Sequence, residues 1–196
     1  LSYTDTAENG WFDRFQTRLS FRQYTEERRR QSTGSTTFRE ERDEVNTIGL
    51  GADWKKSAGD HQLFTFGFDV NYDDVDSTRS DRDLGTGVVT PRDGQFAPDS
   101  EYTAIGVFLQ DEIFAFDPFL LTAGLRYSYY DFSFTEFGGG MEESGDFDAL
   151  TASIEASRRF GDWNFSAGLA QGFRAPNLDD LAKDGAFASG TELHNP

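Results

Sequence analysis

From Phe15 the chain alternates strictly, with Phe15, Thr17, Leu19 and Phe21 at one set of positions and Arg14, Gln16, Arg18, Ser20 and Arg22 at the other. A period of two places successive side chains on opposite faces of an extended backbone, so this stretch is predicted to be a strand with one apolar face. Past Phe21 it continues as a polar run through Glu26, Glu27 and Arg28 to Arg30 and turns near Gly34. That exceeds the roughly 5 to 6 residues of an average soluble strand.

The pattern then recurs. Ile48, Leu50, Ala52 and Trp54 alternate with Thr47, Gly49, Gly51 and Asp53, and a tight turn is expected at Ser57 to Asp60. Phe64, Phe66, Phe68, Val70 and Tyr72 alternate with Thr65, Gly67, Asp69, Asn71 and Asp73, giving the clearest strand of the chain. An acidic, Gly- and Pro-containing segment from about Asp74 to Ser100 is expected to break it. Ile105, Val107 and Leu109 oppose Gly106, Phe108, Gln110 and Glu112 up to a turn at Asp117 and Pro118. Leu121 to Tyr130, Leu150 to Ser157 and Trp163 to Ala170 repeat the alternation, separated by a loop beginning at Gly138 to Gly140 and a tight turn at Gly161 and Asp162. With a stub at Leu1 to Thr4 and a polar turn from Asp5 to Gly10, this makes seven strands plus one, joined by alternately short and long connections. Trp11, Phe12, Trp54, Phe64, Phe114, Phe116, Phe119, Phe160 and Trp163 all flank the short turns. Short turns at one end, long loops at the other and an aromatic girdle are the marks of an outer-membrane barrel.

Composition changes this picture little. The 196 residues contain no cysteine, which excludes a disulfide scaffold and a thiolate metal site. A net charge of −17 argues against nucleic acid as a partner. Mean hydropathy is −0.62, and no apolar run approaches the roughly 18 residues of a membrane helix. Barrel strands show lipid only every second residue, so neither fact bears against a β-barrel.

The strand from Trp163 runs out into Gly172 to Pro196. Pro176 removes a ladder donor, so the strand must end there, and Asn177 is a good cap for a short turn or helix with Asp179 and Asp180 in its first turn. The run Gly172, Phe173, Arg174, Ala175, Pro176, Asn177 and Leu178, with Leu181 and then Glu192, Leu193, His194, Asn195 and Pro196, resembles the signature of TonB-dependent outer-membrane receptors. Phe108 to Ile113, FLQDEI, is similar to a strand end that recurs in those barrels.

That resemblance implies an all-β fold, an antiparallel transmembrane β-barrel of which residues 1–196 form a partial sector of seven to eight strands. Barrels of this kind close with about 22 strands around a plug. The chain opens inside a strand, and its only methionine is Met141, so it is expected to be a piece of a longer protein whose plug and remaining strands lie elsewhere. The resemblance also implies a bacterial outer-membrane location and four kinds of partner. These are outer-membrane lipid with lipopolysaccharide, the plug domain of the same protein, a TonB-type energy-coupling protein, and a small nutrient ligand such as a ferric siderophore, haem or a cobalamin-like molecule. No cofactor is implied. A passive porin-like barrel and a soluble β-sandwich or lipocalin-like binding domain are the alternatives.

Arginine facing lipid at mid-membrane costs about 2–4 kcal/mol. Arg14, Arg18, Asp69, Gln110, Glu112 and Arg126 are therefore expected to face the lumen. Phe15, Leu19, Phe21, Leu50, Phe66, Phe68, Val107, Leu109, Leu125, Ile154 and Leu169 are expected to face lipid. Asp73, Asp74, Asp76, Asp81 and Asp83 offer the hard oxygens that calcium prefers, but lack the spacing of an EF-hand, and a solvated loop is the simpler reading. Arg28, Arg29, Arg30, Arg39 and Arg42, interleaved with Glu26, Glu27, Glu40, Glu41 and Glu44, would suit an anionic ferric chelate or a lipid phosphate, and cross-strand ion pairing is the simpler reading. Arg174 is expected to anchor loop carbonyls. His61 and His194 fall at opposite ends of the strands, so no shared metal site and no Ser/His/Asp set is expected, and nothing points to an enzyme.

Overall fold

Alternation becomes one antiparallel sheet. In the computed structural model, which describes residues 1–6, 10–116, 118–181, 185–187 and 190–192, nine strands pair edge to edge. They are β1 (Ser2–Thr6), β2 (Arg14–Gln31), β3 (Thr37–Ala58), β4 (Gln62–Asp83), β5 (Val89–Asp93), β6 (Ser100–Phe116), β7 (Phe119–Thr135), β8 (Glu142–Phe160) and β9 (Trp163–Ala170). Each strand follows its predecessor in the sheet, except that β5 pairs with the far end of β4 above β6. One helical turn, α1 (Leu178–Leu181), follows β9, and β10 (Gly185–Phe187) pairs with β11 (Gly190–Glu192) in a separate ribbon. The sheet is open, with β1 and β9 as its edges.

Register carries each face across the sheet. Phe15, Trp54, Phe66, Leu109, Leu125 and Ala152 lie in one cross-strand row, and Leu19, Leu50, Val70, Ile105 and Tyr129 in another. All eleven residues expected on the apolar side share that face. Arg18, Gly51, Asp69, Gly106 and Ser128 form a row on the opposite, polar face.

Two expectations need correction. The segment after Asp73 does not break the strand: β4 runs on to Asp83, and β5 lies within what was expected to be loop. Polar residues on both faces of this stretch erase the period-two signal, but Asp81, Ser80 and Arg79 still pair in register with Arg39, Glu40 and Glu41. The connection from Gly138 is also a turn, closed between Thr135 and Glu142 with Gly138 and Gly139 at positive φ. The asymmetry between the two ends thus lies in strand length more than in loop length. At about 3.3 Å per residue, the 22 residues of β3 and of β4 are each about 70 Å long.

A second reversal concerns phase. On β3, β4, β7 and β8 the apolar residues occupy one parity up to Ile48, Tyr72, Tyr129 and Leu150, then switch to the other parity at Val45, Val75, Phe132 and Phe147. No register shift accompanies the switch on β3 and β4. The buried hydrophobic residues among the described ones are few, and five of the six (Val75, Ala97, Phe134, Leu178 and Leu181) form a single cluster beyond the switch, on the polar face.

Candidate functional site

The polar face is knit by charged and amide side chains. Arg126 donates to both carboxylate oxygens of Asp69 at 2.8 Å, Arg18 lies 3.3 Å from Asp53, Arg14 donates to Gln16, and Gln110 donates to Glu112. By register all six expected lumen residues sit on one face, and Asp53 joins them there as the partner of Arg18. Arg126 is on β7 and Asp69 on β4, with β6 between them. They meet because Gly106 lies beneath the guanidinium, where any Cβ would collide with it.

Beyond the phase switch the same face is apolar. Phe132 stacks near Phe134 and Phe147, with ring centroids 6.0 Å and 5.6 Å away. Two segments fold onto this cluster. Residues 94–99 lie against it through Phe96 and Ala97, pinned by Ser77 Oγ, which accepts from the N–H groups of Gln95 and Phe96 at 2.7 Å and 3.2 Å. The chain leaving β9 turns inward over the sheet: Phe173 lies 6.1 Å from Tyr130, the Tyr102 hydroxyl donates to the Pro176 carbonyl at 2.9 Å, and Leu178 and Leu181 enter the cluster.

Asn177 caps α1 as expected, its Oδ1 accepting from the Asp180 N–H at 2.9 Å while Asp180 Oδ2 accepts from the Asn177 N–H at 3.2 Å. Among the described residues Arg174 is not bonded to a loop carbonyl. It pairs with the Asp180 carboxylate at 2.9 Å, because the cap already holds that oxygen within its reach. Glu192 ends β11, while Leu193, His194, Asn195 and Pro196 lie outside the described residues. His61 is exposed in the turn between β3 and β4.

The basic cluster is divided by the pleat. Arg29 and Arg42 lie on the apolar-face side and pair with Glu40 at 3.4 Å and Glu44 at 2.8 Å. Arg28, Arg30 and Arg39 lie on the polar-face side, where Arg28 reaches Asp43 at 2.6 Å and also donates to Gln95. The five aspartates are divided likewise. Asp73, Asp81 and Asp83 take one face of β4 and Asp74 and Asp76 the other, and ten residues of strand, about 33 Å, separate the first from the last. They do not converge on one cation. Asp73 accepts from Thr47 at 2.6 Å, and Asp83 accepts from the N–H groups of Gly85 and Thr86, both at 2.8 Å, which hold its carboxyl below the usual range.

At the short-turn end, Phe15 lies tilted against Trp54, and Trp54 stacks near Phe66. Arg158, on the apolar face, lies 5.0 Å from the Phe119 ring centre and 4.0 Å from that of Phe160, so its charge is held by aromatic faces. Asp13 accepts from the Ser57 N–H at 2.6 Å and from Lys56 at 2.9 Å. Those bonds, the Ser57 amide foremost, lower its carboxyl to about 2.

A family model described as "TonB dependent receptor-like, beta-barrel" matches residues 1–195. Among solved structures the chain is similar to "Copper transporter OprC", at 15% identity and TM-score 0.72, over 98% of this chain and 33% of that one. It is also similar to the ferric citrate transporter FecA in its unliganded form, at 15% identity and TM-score 0.62, over 85% of this chain and 26% of that one. The chain thus spans about a third or less of the length of either protein. No match was found among curated proteins. With nearly every residue inside the family match and a single antiparallel sheet that fits part of such a barrel, this chain belongs to the TonB-dependent receptor β-barrel family.

Proposed function

We propose that this chain is a sector of the wall of an energised outer-membrane transporter that imports a scarce nutrient. Its apolar face meets hydrocarbon and its polar face looks onto a plug folded inside the closed barrel. The observation that carries this reading is the exposure of the apolar rows. Leu19 is 50% exposed, Val107 53%, Leu125 50% and Leu169 79%, all on one face of a sheet that has no second layer among the described residues. A water-soluble sheet must bury such a face against another layer.

The dimensions agree. On β4 the apolar positions run from Phe64 to Tyr72, nine residues or about 30 Å of strand, which at a tilt near 40° is about 23 Å along the membrane normal. That matches the apolar band of about 25 Å on outer-membrane barrels. Above it, on this reading, the former apolar side meets water and the Phe132 cluster lies on the inner side. Lipid cannot satisfy the unpaired backbone groups of β1 and β9, so both edges pair with further strands of the longer protein.

The ligand is expected to be a small nutrient of the ferric siderophore, haem or cobalamin-like kind, met first by the extended β2–β5 wall. Import is expected to require the plug and a TonB-type coupling protein. In intact cells making the full-length protein, single cysteines at Phe66, Val107 and Leu125 should resist a membrane-impermeant thiol reagent, while one at Ser80 should react. Rapid labelling at all four positions overturns the membrane reading. Ligand uptake that persists when the proton-motive force is collapsed overturns the energised one in favour of a passive barrel.

A further inference from the structure

Three guanidiniums share one carboxylate high on the polar face. Arg39 Nε lies 3.0 Å from Asp81 Oδ1, and Arg79 Nη2 and Arg92 Nε lie 3.3 Å and 3.7 Å from Oδ2. Two cross-strand rungs bring them together: Arg30, Arg39 and Asp81 on one, and Arg28, Glu41, Arg79 and Arg92 on the next. Five arginines thus stand beside the two carboxylates of Glu41 and Asp81. Arg28 is held by Asp43 at 2.6 Å and Glu26 at 3.4 Å, with Glu41 at 3.8 Å, so four other arginines remain beside the carboxylates of Asp81 and Glu41. Arg30 directly faces Arg39 and Arg79 directly faces Arg92, and like charges opposite one another destabilise a sheet. The Nε of Arg79 is buried without a hydrogen-bond partner among the described residues.

This arrangement is not a general property of the hairpin. On the other face of the same strands, Arg29 has Glu27 and Glu40, and Arg42 has Glu27 and Glu44, so carboxylates there outnumber guanidiniums. The chain carries a net charge of −17, yet on these two rungs arginines outnumber carboxylates by five to two, on the side that the proposed function turns toward the mouth. Guanidiniums present planar pairs of donors that match carboxylate and phosphate oxygens. A bound anion would supply the missing counter-charge.

We infer that the two rungs around Asp81 form a binding site for a soluble oxyanion carrying at least two carboxylate or phosphate groups. Two groups are needed because Asp81 already sits among three guanidiniums, and one further oxyanion cannot span Arg30, Arg39, Arg79 and Arg92. The inference rests on the polar face being the inward one and specifies the chemical class of ligand that the mouth receives.

The test uses purified full-length protein in detergent at low ionic strength, with pyrophosphate as the probe and calorimetry as the readout. Wild type is expected to bind. The double variant Arg39→Gln/Arg79→Gln should bind at least about tenfold more weakly, and Arg29→Gln/Arg42→Gln, with the same change of charge on the other face, should stay within about twofold. Asp81→Asn should bind more tightly, a direction that misfolding does not mimic. Absence of binding by wild type, equal weakening in the two double variants, or an Asp81→Asn protein no tighter than wild type each overturns the site. If Arg39→Gln/Arg79→Gln instead loses co-purifying lipopolysaccharide phosphate, the anion is a lipid headgroup and the inference of a soluble ligand fails. Binding at equilibrium needs no energy source. Coupled uptake by a protein that ignores pyrophosphate defeats the anion site alone, and pyrophosphate binding without coupled uptake defeats the transport reading alone.

Discussion

Arg126 holds both oxygens of Asp69 at 2.8 Å by reaching over the intervening strand, and it can do so only because residue 106 has no side chain. The pair ties β4 to β7 directly, so the three strands resist sliding as well as separation. It also accounts for a glycine within a strand, where glycine is otherwise unfavourable.

Gly106→Ala is therefore expected to lift the guanidinium from Asp69 and to cost about as much as removing the pair, roughly 1–2 kcal/mol once its partial exposure to solvent is discounted. Urea unfolding of the full-length protein in detergent, followed by loss of heat-modifiable mobility, measures this. Combining Gly106→Ala with Arg126→Gln should add little to either change alone. Full additivity would mean that the glycine serves another purpose.

The clasp after β9 makes a second set of expectations. Leu178 and Leu181 of α1 enter the aromatic cluster, so Leu178→Ala should cost about 2–3 kcal/mol of local stability, and Asn177→Ala about 1 through loss of the cap. Both should speed protease cleavage within residues 171–181 without changing cleavage at the short turn near Gly161. Equal protection of the clasp in wild type and Leu178→Ala would show that the cluster does not hold it.

Much of this architecture is written in the alternation itself. Phe15 to Phe21, Phe64 to Tyr72 and Leu121 to Tyr129 announce strands because an apolar face on one side and a polar face on the other impose a period of two. The end of β4 is silent for the converse reason. From Asp76 to Asp83 both faces carry polar side chains, so no periodicity remains to mark a strand that is fixed by pairing with β3. The Phe132 cluster was legible in principle. Tyr129 and Phe132 differ in parity, and a change of apolar phase without an inserted residue signals that the side needing cover has changed. The inward turn of residues 172–181 was not legible, since it depends on Tyr102 and Phe134, whose strands are distant in sequence. The division of the arginines followed from parity, but the crowding of three around Asp81 requires β5, which the polar stretch concealed.

Asp13 sets a pH dependence at the short-turn end. Its carboxyl is lowered from 3.8 to about 2, first by the Ser57 amide and then by Lys56. A depressed carboxyl stabilises the folded state above its unfolded value, and that contribution falls away as pH drops through the folded one. The contact between the start of β2 and the end of β3 should hold fully above about pH 4 and loosen between about pH 4 and pH 2. A carboxyl-detected NMR titration should place the Asp13 midpoint near 2, with the Ser57 amide shift following it, and Asp13→Asn should remove that step. A midpoint at the ordinary value would mean that the bond to Ser57 is not maintained in solution.

The assignment of faces is open to the most direct trial, because Leu19 and Ser20 are neighbours in sequence on opposite sides of β2. Leu19 lies across from Leu50 in a row of apolar side chains, and Ser20 lies across from Gly49, with its hydroxyl 3.4 Å from the Gly49 carbonyl. An arginine at position 19 would project its charge into hydrocarbon near mid-membrane, at a cost of about 2–4 kcal/mol. At position 20 the same side chain enters the space that Gly49 leaves open, near Asn71. In the full-length protein, Leu19→Arg should therefore reduce the folded, heat-modifiable fraction recovered from outer membranes several-fold, while Ser20→Arg should leave it within about twofold of wild type. Since both variants add the same residue to the same strand, differences in expression or helix propensity do not separate them, and only the side on which the charge emerges does. Equal recovery of the two would mean that the Leu19 face is not in lipid, and the exposed rows of Phe66, Val107 and Leu125 would then need a protein layer to cover them.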